Sequence, residues 1–397
     1  MLPPQPQVRT YWKTFLPALI FLAAVTPLRA NGAMESPGNP KTGRDLFVRK
    51  GCMRCHSIGE SSGRKAPSLA SVGMGRNLYE LCASLWSHWP RMNAMLANEK
   101  QERNTLTSSE FRDIIAYLYY LNYSSESGDE TLGQQVFLKK GCGQCHAVEP
   151  LQNAGKPGRP VYEMGQFQVP VNLAVAVWNH GTSMIQTITK EHLRWPEFQD
   201  KEVTNLVAFI RSRNAVPRES DMVVPGDPGR GQTLFEAKSC VSCHKSGARG
   251  APGPDFSASG RAASLSSLIA SLWNHYPKMS RTMTSSGVRY SKIERDEMAD
   301  ILAYVYWLKA SGVGGNSAMG RDLYQSKQCA ACHSSAGQKP AAAPSLVKSQ
   351  TTESAYSLLA AIWNHGPRME ALLRERKIAW PPLNGDEMRN LVAFFRK

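Results

Sequence analysis

The sequence predicts an all-α protein made of four tandem copies of one small helical unit. Three observations predict it. The pattern Cys-x-x-Cys-His occurs four times, its first cysteines 90, 98 and 89 residues apart. Apolar residues recur at helical spacing at matching places around each copy. No stretch alternates apolar and polar residues as a half-buried strand does. The composition agrees: 42% hydrophobic and 20% charged residues exclude collagen and wholesale disorder. A length of 397 residues holds four units the size of small domains. Nine cysteines at that length are too few for a disulfide framework.

The chain opens on a different kind of segment. Residues 1–33 carry Arg9, Lys13 and Arg29, no acid, and an apolar run from Phe15 to Val25, followed by Pro27, Ala30, Gly32 and Ala33. That is the layout of a secretory signal peptide. The run is short of the roughly 20 apolar residues of a spanning helix; an uncleaved membrane anchor is the alternative. The first cysteine is Cys52, so none stands beside the signal to take a lipid. Without these three charges the net charge of +15 falls to +12. Such a balance attracts acidic surfaces on other proteins. With no dense Lys/Arg stripe, nucleic acid is not a predicted partner.

The four units are expected at 40–124, 130–212, 229–311 and 317–397, with a linker at 213–228 (units 1 to 4 below). Each opens with a short helix. A glycine stands nine residues before each first cysteine (Gly43, Gly133, Gly231, Gly320), where another helix could approach closely. An apolar–aromatic pair follows it: Leu46-Phe47, Val136-Phe137, Leu234-Phe235 and Leu323-Tyr324. After the cysteine motif and a proline-containing loop comes a second helix. In unit 1 its stripe is Leu78, Leu81, Cys82, Leu85, Trp86 and Trp89. It is expected to end in Trp86-Ser-His88-Trp-Pro-Arg-Met92, whose counterparts start at Trp178, Trp273 and Trp363. A last helix carries the stripe Phe111, Ile114, Ile115, Leu118, repeated at Val203, Met298 and Met388. Tyr117, Phe209, Tyr304 and Phe394 hold one offset in it. Thr107/Glu110, Ser291/Glu294 and Asn384/Glu387 read as capping pairs at its start.

The units also sort into two kinds. Units 2 and 4 share His-Gly (His180-Gly181, His365-Gly366) and Trp-Pro (Trp195-Pro196, Trp380-Pro381). Units 1 and 3 share an aromatic after the histidine (Trp89, Tyr276) and Ala-Tyr-x-Tyr in the last helix. A two-domain unit duplicated once is the simplest history, with halves 1–2 and 3–4.

The four motifs are Cys52-Met-Arg-Cys55-His56, Cys142-Gly-Gln-Cys145-His146, Cys240-Val-Ser-Cys243-His244 and Cys329-Ala-Ala-Cys332-His333. Two thiols three residues apart with an adjacent imidazole suit covalent attachment of haem. The thiols add to its two vinyl groups, and His56, His146, His244 and His333 bind the iron. Zinc would need two such pairs per metal, and disulfides would leave the histidine unexplained. For the opposite axial position each unit offers a methionine 36, 38, 35 or 36 residues after that histidine: Met92, Met184, Met279, Met369. His88, His180, His275 and His365 are the alternative ligands. Carbonyls near Pro67, Pro160, Pro254 and Pro344 are expected to accept the proximal histidine N–H.

With these residues together, each unit resembles a class I c-type cytochrome domain, over nearly all of residues 40–397. The pairing of units resembles dihaem cytochromes of the c4 type, doubled. The resemblance implies four covalently bound haems c and one-electron transfer between redox-partner proteins in the periplasm. It also allows association with a membrane respiratory complex, as the cytochrome subunit of a dehydrogenase or reductase. The rival is a haem enzyme, a peroxidase or sulfur-compound oxidoreductase. Its candidate is unit 1, where Ser87 replaces the asparagine of the others and the ninth cysteine, Cys82, lies on the stripe.

Overall fold

The computed structural model describes residues 36–58, 65–69, 77–99, 103–124, 127–152, 155–167, 169–199, 201–214, 225–244, 251–259, 264–311, 314–333 and 343–397. The expected signal segment lies outside them. The fold is all-α. Among the described residues there are twelve α-helices and no strand beyond a single bridge between His333 and Ala343. Each unit has three helices. They are α1 Pro40–Arg49, α2 Leu78–Asn98 and α3 Ser108–Ser124; α4 Glu130–Lys139, α5 Pro170–Lys190 and α6 Glu202–Ser212; α7 Pro228–Ala237, α8 Leu265–Ser285 and α9 Arg295–Ser311; α10 Ser317–Ser326, α11 Ala355–Glu375 and α12 Gly385–Phe395.

The first helix of each unit starts on a side-chain cap: Asn39, Asp129, Asp227 or Asn316 accepts from backbone N–H groups of the first turn. The N–H of that same cap residue donates to a side chain on the last helix, Asp113, Asn205, Asp300 or Asn390, at 2.7–2.9 Å. The two helices then cross at the repeated glycine. A Cβ on Gly43, Gly133, Gly231 or Gly320 would lie 1.9–2.0 Å from a carbonyl oxygen of the last helix, so only glycine allows the crossing. Beside it the aromatics meet: Phe47 with Tyr117, Phe137 with Phe209, Phe235 with Tyr304 and Tyr324 with Phe394, centroids 5.4–5.8 Å apart.

The middle helix departs from expectation. It runs 21 residues in every unit, continuing past the methionine. In units 1, 3 and 4 it passes through Pro90, Pro277 and Pro367. An interior proline strips the carbonyl four residues back of its donor. In units 1 and 3 a neighbouring unit supplies one. The indole N–H of Trp380 donates to the Trp86 carbonyl, and that of Trp195 to the Trp273 carbonyl, each at 3.1 Å. The last helices of units 1 and 4 carry the expected pairs Thr107/Glu110 and Asn384/Glu387. Ser291/Glu294 is not such a pair. Helix α9 begins at Arg295, and it is Glu297 that accepts from the Glu294 N–H.

The units associate as 2 with 3 and 1 with 4, against the expected halves 1–2 and 3–4. Middle helices α5 and α8 pack together, as do α2 and α11. The tryptophan of each middle helix donates to a carbonyl just ahead of the partner's last helix. Trp86 reaches Pro381, Trp363 Asn104, Trp178 Ser291 and Trp273 Pro196, at 2.6–2.9 Å. The next residue reads the backbone two positions on. Asn179 bonds both N–H and C=O of Ile293, Asn274 those of Phe198 and Asn364 those of Leu106. Ser87 does the same at Leu383 with one hydroxyl.

The two kinds of unit are thus the two sides of one interface. The aromatic of units 1 and 3 sits in the notch left by the glycine of units 4 and 2. A Cβ on Gly366 would lie 2.3 Å from the Trp89 ring, and one on Gly181 2.2 Å from the Tyr276 ring. Both rings are fully buried. This complementarity fits 1–2 with 3–4 as well as 1–4 with 2–3. The structure adopts the arrangement in which the longest connection between units, 213–227, joins two members of a pair. Fifteen residues can reach about 50 Å, against about 17 Å for the five residues between α3 and α4.

Candidate haem sites

In each unit the first cysteine opens a 3-10 turn directly after a residue in the left-handed region: Gly51, Gly141, Ser239 or Gln328, with φ from 60° to 82°. The N–H groups of the second cysteine and of the histidine both return to the first cysteine's carbonyl. The turn therefore presents two thiols and an imidazole in one fixed arrangement, four times over. Burial pushes the Cys52, Cys142, Cys240 and Cys329 thiols up to about 11, so each is held protonated.

A following loop orients the histidine. The N–H of Ala66, Gly158, Gly253 or Ala343 donates to the second cysteine's carbonyl at 3.0–3.2 Å. The carbonyl of the next residue then meets histidine Nδ1. The pairs are His56 with Pro67 at 3.1 Å, His146 with Arg159 at 2.8 Å, His244 with Pro254 at 3.1 Å and His333 with Pro344 at 2.9 Å. In unit 2 the acceptor is Arg159, not the expected Pro160. The geometry follows the residue nineteen before the tryptophan, and that position is Arg159. A proton held at Nδ1 leaves the Nε2 lone pair as the metal-binding atom.

The methionines lie on the middle helices. Met92, Met184, Met279 and Met369 are half-buried and packed against the core. His88, His180, His275 and His365 stand one helical turn earlier on the same face. His88 and His275 are half-buried, whereas His180 and His365 are exposed. Burial pushes the His88 imidazole down, and repulsion from His56 and Arg91 adds to it. His244 is likewise pushed down by burial, against the Pro254 carbonyl, with His275 adding repulsion. In units 1 and 3 the His/Met face of the middle helix thus lies near the proximal histidine. The Trp86/Trp89 face that docks the neighbouring unit points about 100° away from it around the helix. Among the described residues no three His, Cys, Asp or Glu side chains converge as a metal cluster. The motif and the middle helix offer the candidate donors. This donor set fits haem c: paired thiols, an oriented imidazole and a thioether face.

One group of residues is not anticipated by the motif reading. Lys50, Lys140, Lys238 and Lys327, each two residues before the first cysteine, pair with Glu110, Glu202, Glu297 and Glu387 on the last helix at 2.8–3.0 Å. Each lysine also donates to a carbonyl in the segment before that helix. This clamp ties the cysteine turn to the start of the last helix. Its signal was present, as one Lys and one Glu at constant offsets in all four units. The marks of a modified first unit, in contrast, have structural roles: Ser87 docks unit 4, and Cys82 is fully buried in the core.

The cytochrome c family model matches residues 229–309 and again residues 317–397. Both segments are cytochrome c domains. They contain α7–α9 and α10–α12 and carry the third and fourth motifs. Cytochrome c domains bind haem covalently and transfer electrons, and they occur here in tandem. No curated protein and no solved structure matches the chain. Among the described residues no helix is long and apolar enough to cross a membrane.

Proposed function

We infer that the whole chain is a tetrahaem c-type cytochrome that passes single electrons between redox proteins. One observation carries this reading beyond the two matched domains. Units 1 and 2 repeat the cysteine turn, the histidine–carbonyl bond and the lysine clamp of units 3 and 4, atom for atom. The attachment residues are Cys52 and Cys55, Cys142 and Cys145, Cys240 and Cys243, and Cys329 and Cys332. The axial pairs are His56 with Met92, His146 with Met184, His244 with Met279 and His333 with Met369. Methionine is favoured over the neighbouring histidine because it packs against the core in all four units, whereas His180 and His365 face solvent. Haem supplies a one-electron iron couple when bound. Held by these histidine–methionine pairs, the iron would keep no open site for a substrate, which favours a carrier over an enzyme.

Residues 1–33 are the export signal in this reading, and the periplasm is the compartment. The charge of +12 suits partners with acidic docking patches, free or in a membrane respiratory complex. Mass spectrometry and pyridine haemochrome assay of the exported protein test the haem count, with four covalent haems expected. Near-infrared magnetic circular dichroism of the oxidised protein tests the ligands. Four thioether charge-transfer signatures are expected, and a high-spin haem would return the reading to an enzyme centred on that unit.

A further inference from the structure

Every unit in a multi-haem carrier needs a neighbour to hand its electron to, and chain order does not decide which. Units 2 and 3 share one large interface and units 1 and 4 the other. Each interface is laid between middle helices, the same helices that carry the candidate axial residues. The two pairs meet chiefly through α9 of unit 3. Tyr306 packs edge-on against Tyr119 of α3, centroids 5.9 Å apart. Trp307 packs against Tyr119 at 6.1 Å and stacks on Tyr356 of α11 at 6.3 Å and 21°. All four rings are buried. Tyr119 and Tyr306 are the second tyrosines of the Ala-Tyr-x-Tyr segments that units 1 and 3 share, so this contact joins equivalent residues. Unit 3 is therefore the unit that bonds to its own partner and also touches both members of the other pair. One polar contact reinforces the junction: Asn39 Nδ2 donates to Asp227 Oδ2 at 2.7 Å, cap to cap between α1 and α7.

We propose that electrons cross this protein pair by pair rather than in chain order: between units 2 and 3, then from unit 3 through the Tyr306–Trp307 contact to units 1 and 4. Each step oxidises one iron and reduces the next, with no bond made or broken. The proposal rests on the four-haem reading above. It makes unit 3 the junction, and it makes the peptide link between units 1 and 2 irrelevant to transfer.

The test is electron injection at unit 2 with optical detection at unit 4. Leu151 of unit 2 is 98% exposed, and Cys82, the one cysteine outside the motifs, is fully buried. A Leu151→Cys variant of the holoprotein therefore takes a ruthenium photoreductant selectively. Cys329→Ala leaves one vinyl group conjugated on the fourth haem, whose absorption then lies to longer wavelength than the rest. After a flash, reduction of the haems of units 2 and 3 is expected first, and of the tagged haem together with that of unit 1 second. In the Tyr306→Leu/Trp307→Leu background the second phase is expected to slow severalfold while the first keeps its rate. Tyr306→Phe/Trp307→Phe should restore it. A second phase unchanged by the leucine pair overturns the route, as does reduction of the tagged haem ahead of the others. If the leucine pair fails to fold, Tyr119→Leu/Tyr356→Leu removes the contact from the other side and is read the same way. The haem count of the unmodified protein is taken first. A count below four strikes the four-haem reading itself, separately from the route.

Discussion

An indole N–H buried at a domain boundary needs an acceptor, and a carbonyl robbed by proline needs a donor. Trp195 and Trp380 answer both needs, which accounts for Trp195-Pro196 and Trp380-Pro381 in the units that face Pro277 and Pro90. Replacing Trp195 with Phe keeps most of the apolar area and removes the donor to the Trp273 carbonyl. The expected loss is about 1–3 kcal/mol, the cost of an unmet buried group. It would be seen as a lower urea midpoint, and an unchanged midpoint would refute this account of the proline. At this scale the motif residues were easy to read, because thiol and imidazole chemistry fixes their spacing within five positions. The docking residues were not. Trp178 and Asn179 bind backbone atoms more than a hundred residues away, and a backbone carbonyl leaves no trace in sequence. Ser87 shows the hazard, since a substitution that looked like altered chemistry is a hydroxyl serving where three asparagines serve elsewhere.

Helices were the most legible elements. Their apolar stripes and the repeated glycine announced both the all-α class and the tight crossing. Gly133→Ala places a methyl carbon 2.0 Å from the Asn205 carbonyl oxygen. The overpacked crossing should cost about 1–3 kcal/mol, measurable as a fall in the unfolding midpoint of the holoprotein. The lysine clamp makes a pH-dependent prediction. For Glu110 burial works to raise the carboxyl, but the Lys50 and Thr107 hydrogen bonds outweigh it and hold it below its ordinary 4.5. For Glu297 the Glu294 N–H, aided by Lys238, has the same result. A carboxyl held low in the folded state stabilises it fully above the ordinary value. That contribution is lost as pH falls through the lowered value. Lys50→Met and Lys238→Met should therefore destabilise at neutral pH, and the gap to the parent should narrow in acid. Denaturation midpoints across that range check it; a gap independent of pH would mean that only the lysine–carbonyl bonds matter. In units 1 and 3 the extension of the middle helix beyond its proline was illegible because its compensation comes from another unit.

At the scale of the whole molecule, two kinds of unit can be arranged in pairs in two ways, and local patterning favours neither. The arrangement seen predicts how fragments behave. A fragment of units 2 and 3 holds a complete interface and should sediment as a monomer. A fragment of units 1 and 2 holds one aromatic side and one glycine side, both unfilled, and should associate with itself through them. Sedimentation of both fragments, loaded with haem, distinguishes this pairing from halves 1–2 and 3–4; a monomeric 1–2 fragment beside a self-associating 2–3 fragment would reverse it.

The pairing of the first unit with the last has a consequence for biosynthesis. A chain emerges from its N-terminus and folds domain by domain. Units 2 and 3 can join as soon as the third is made. Unit 1 must wait for the fourth unit, whose Trp363 and Gly366 cover Trp89 and whose Trp380 and Pro381 cover Trp86. Until then it presents an uncovered aromatic surface to chaperones and proteases. A product cut short before the middle helix of unit 4 would keep that surface exposed. The outer pair therefore closes only once the fourth unit has been made and folded.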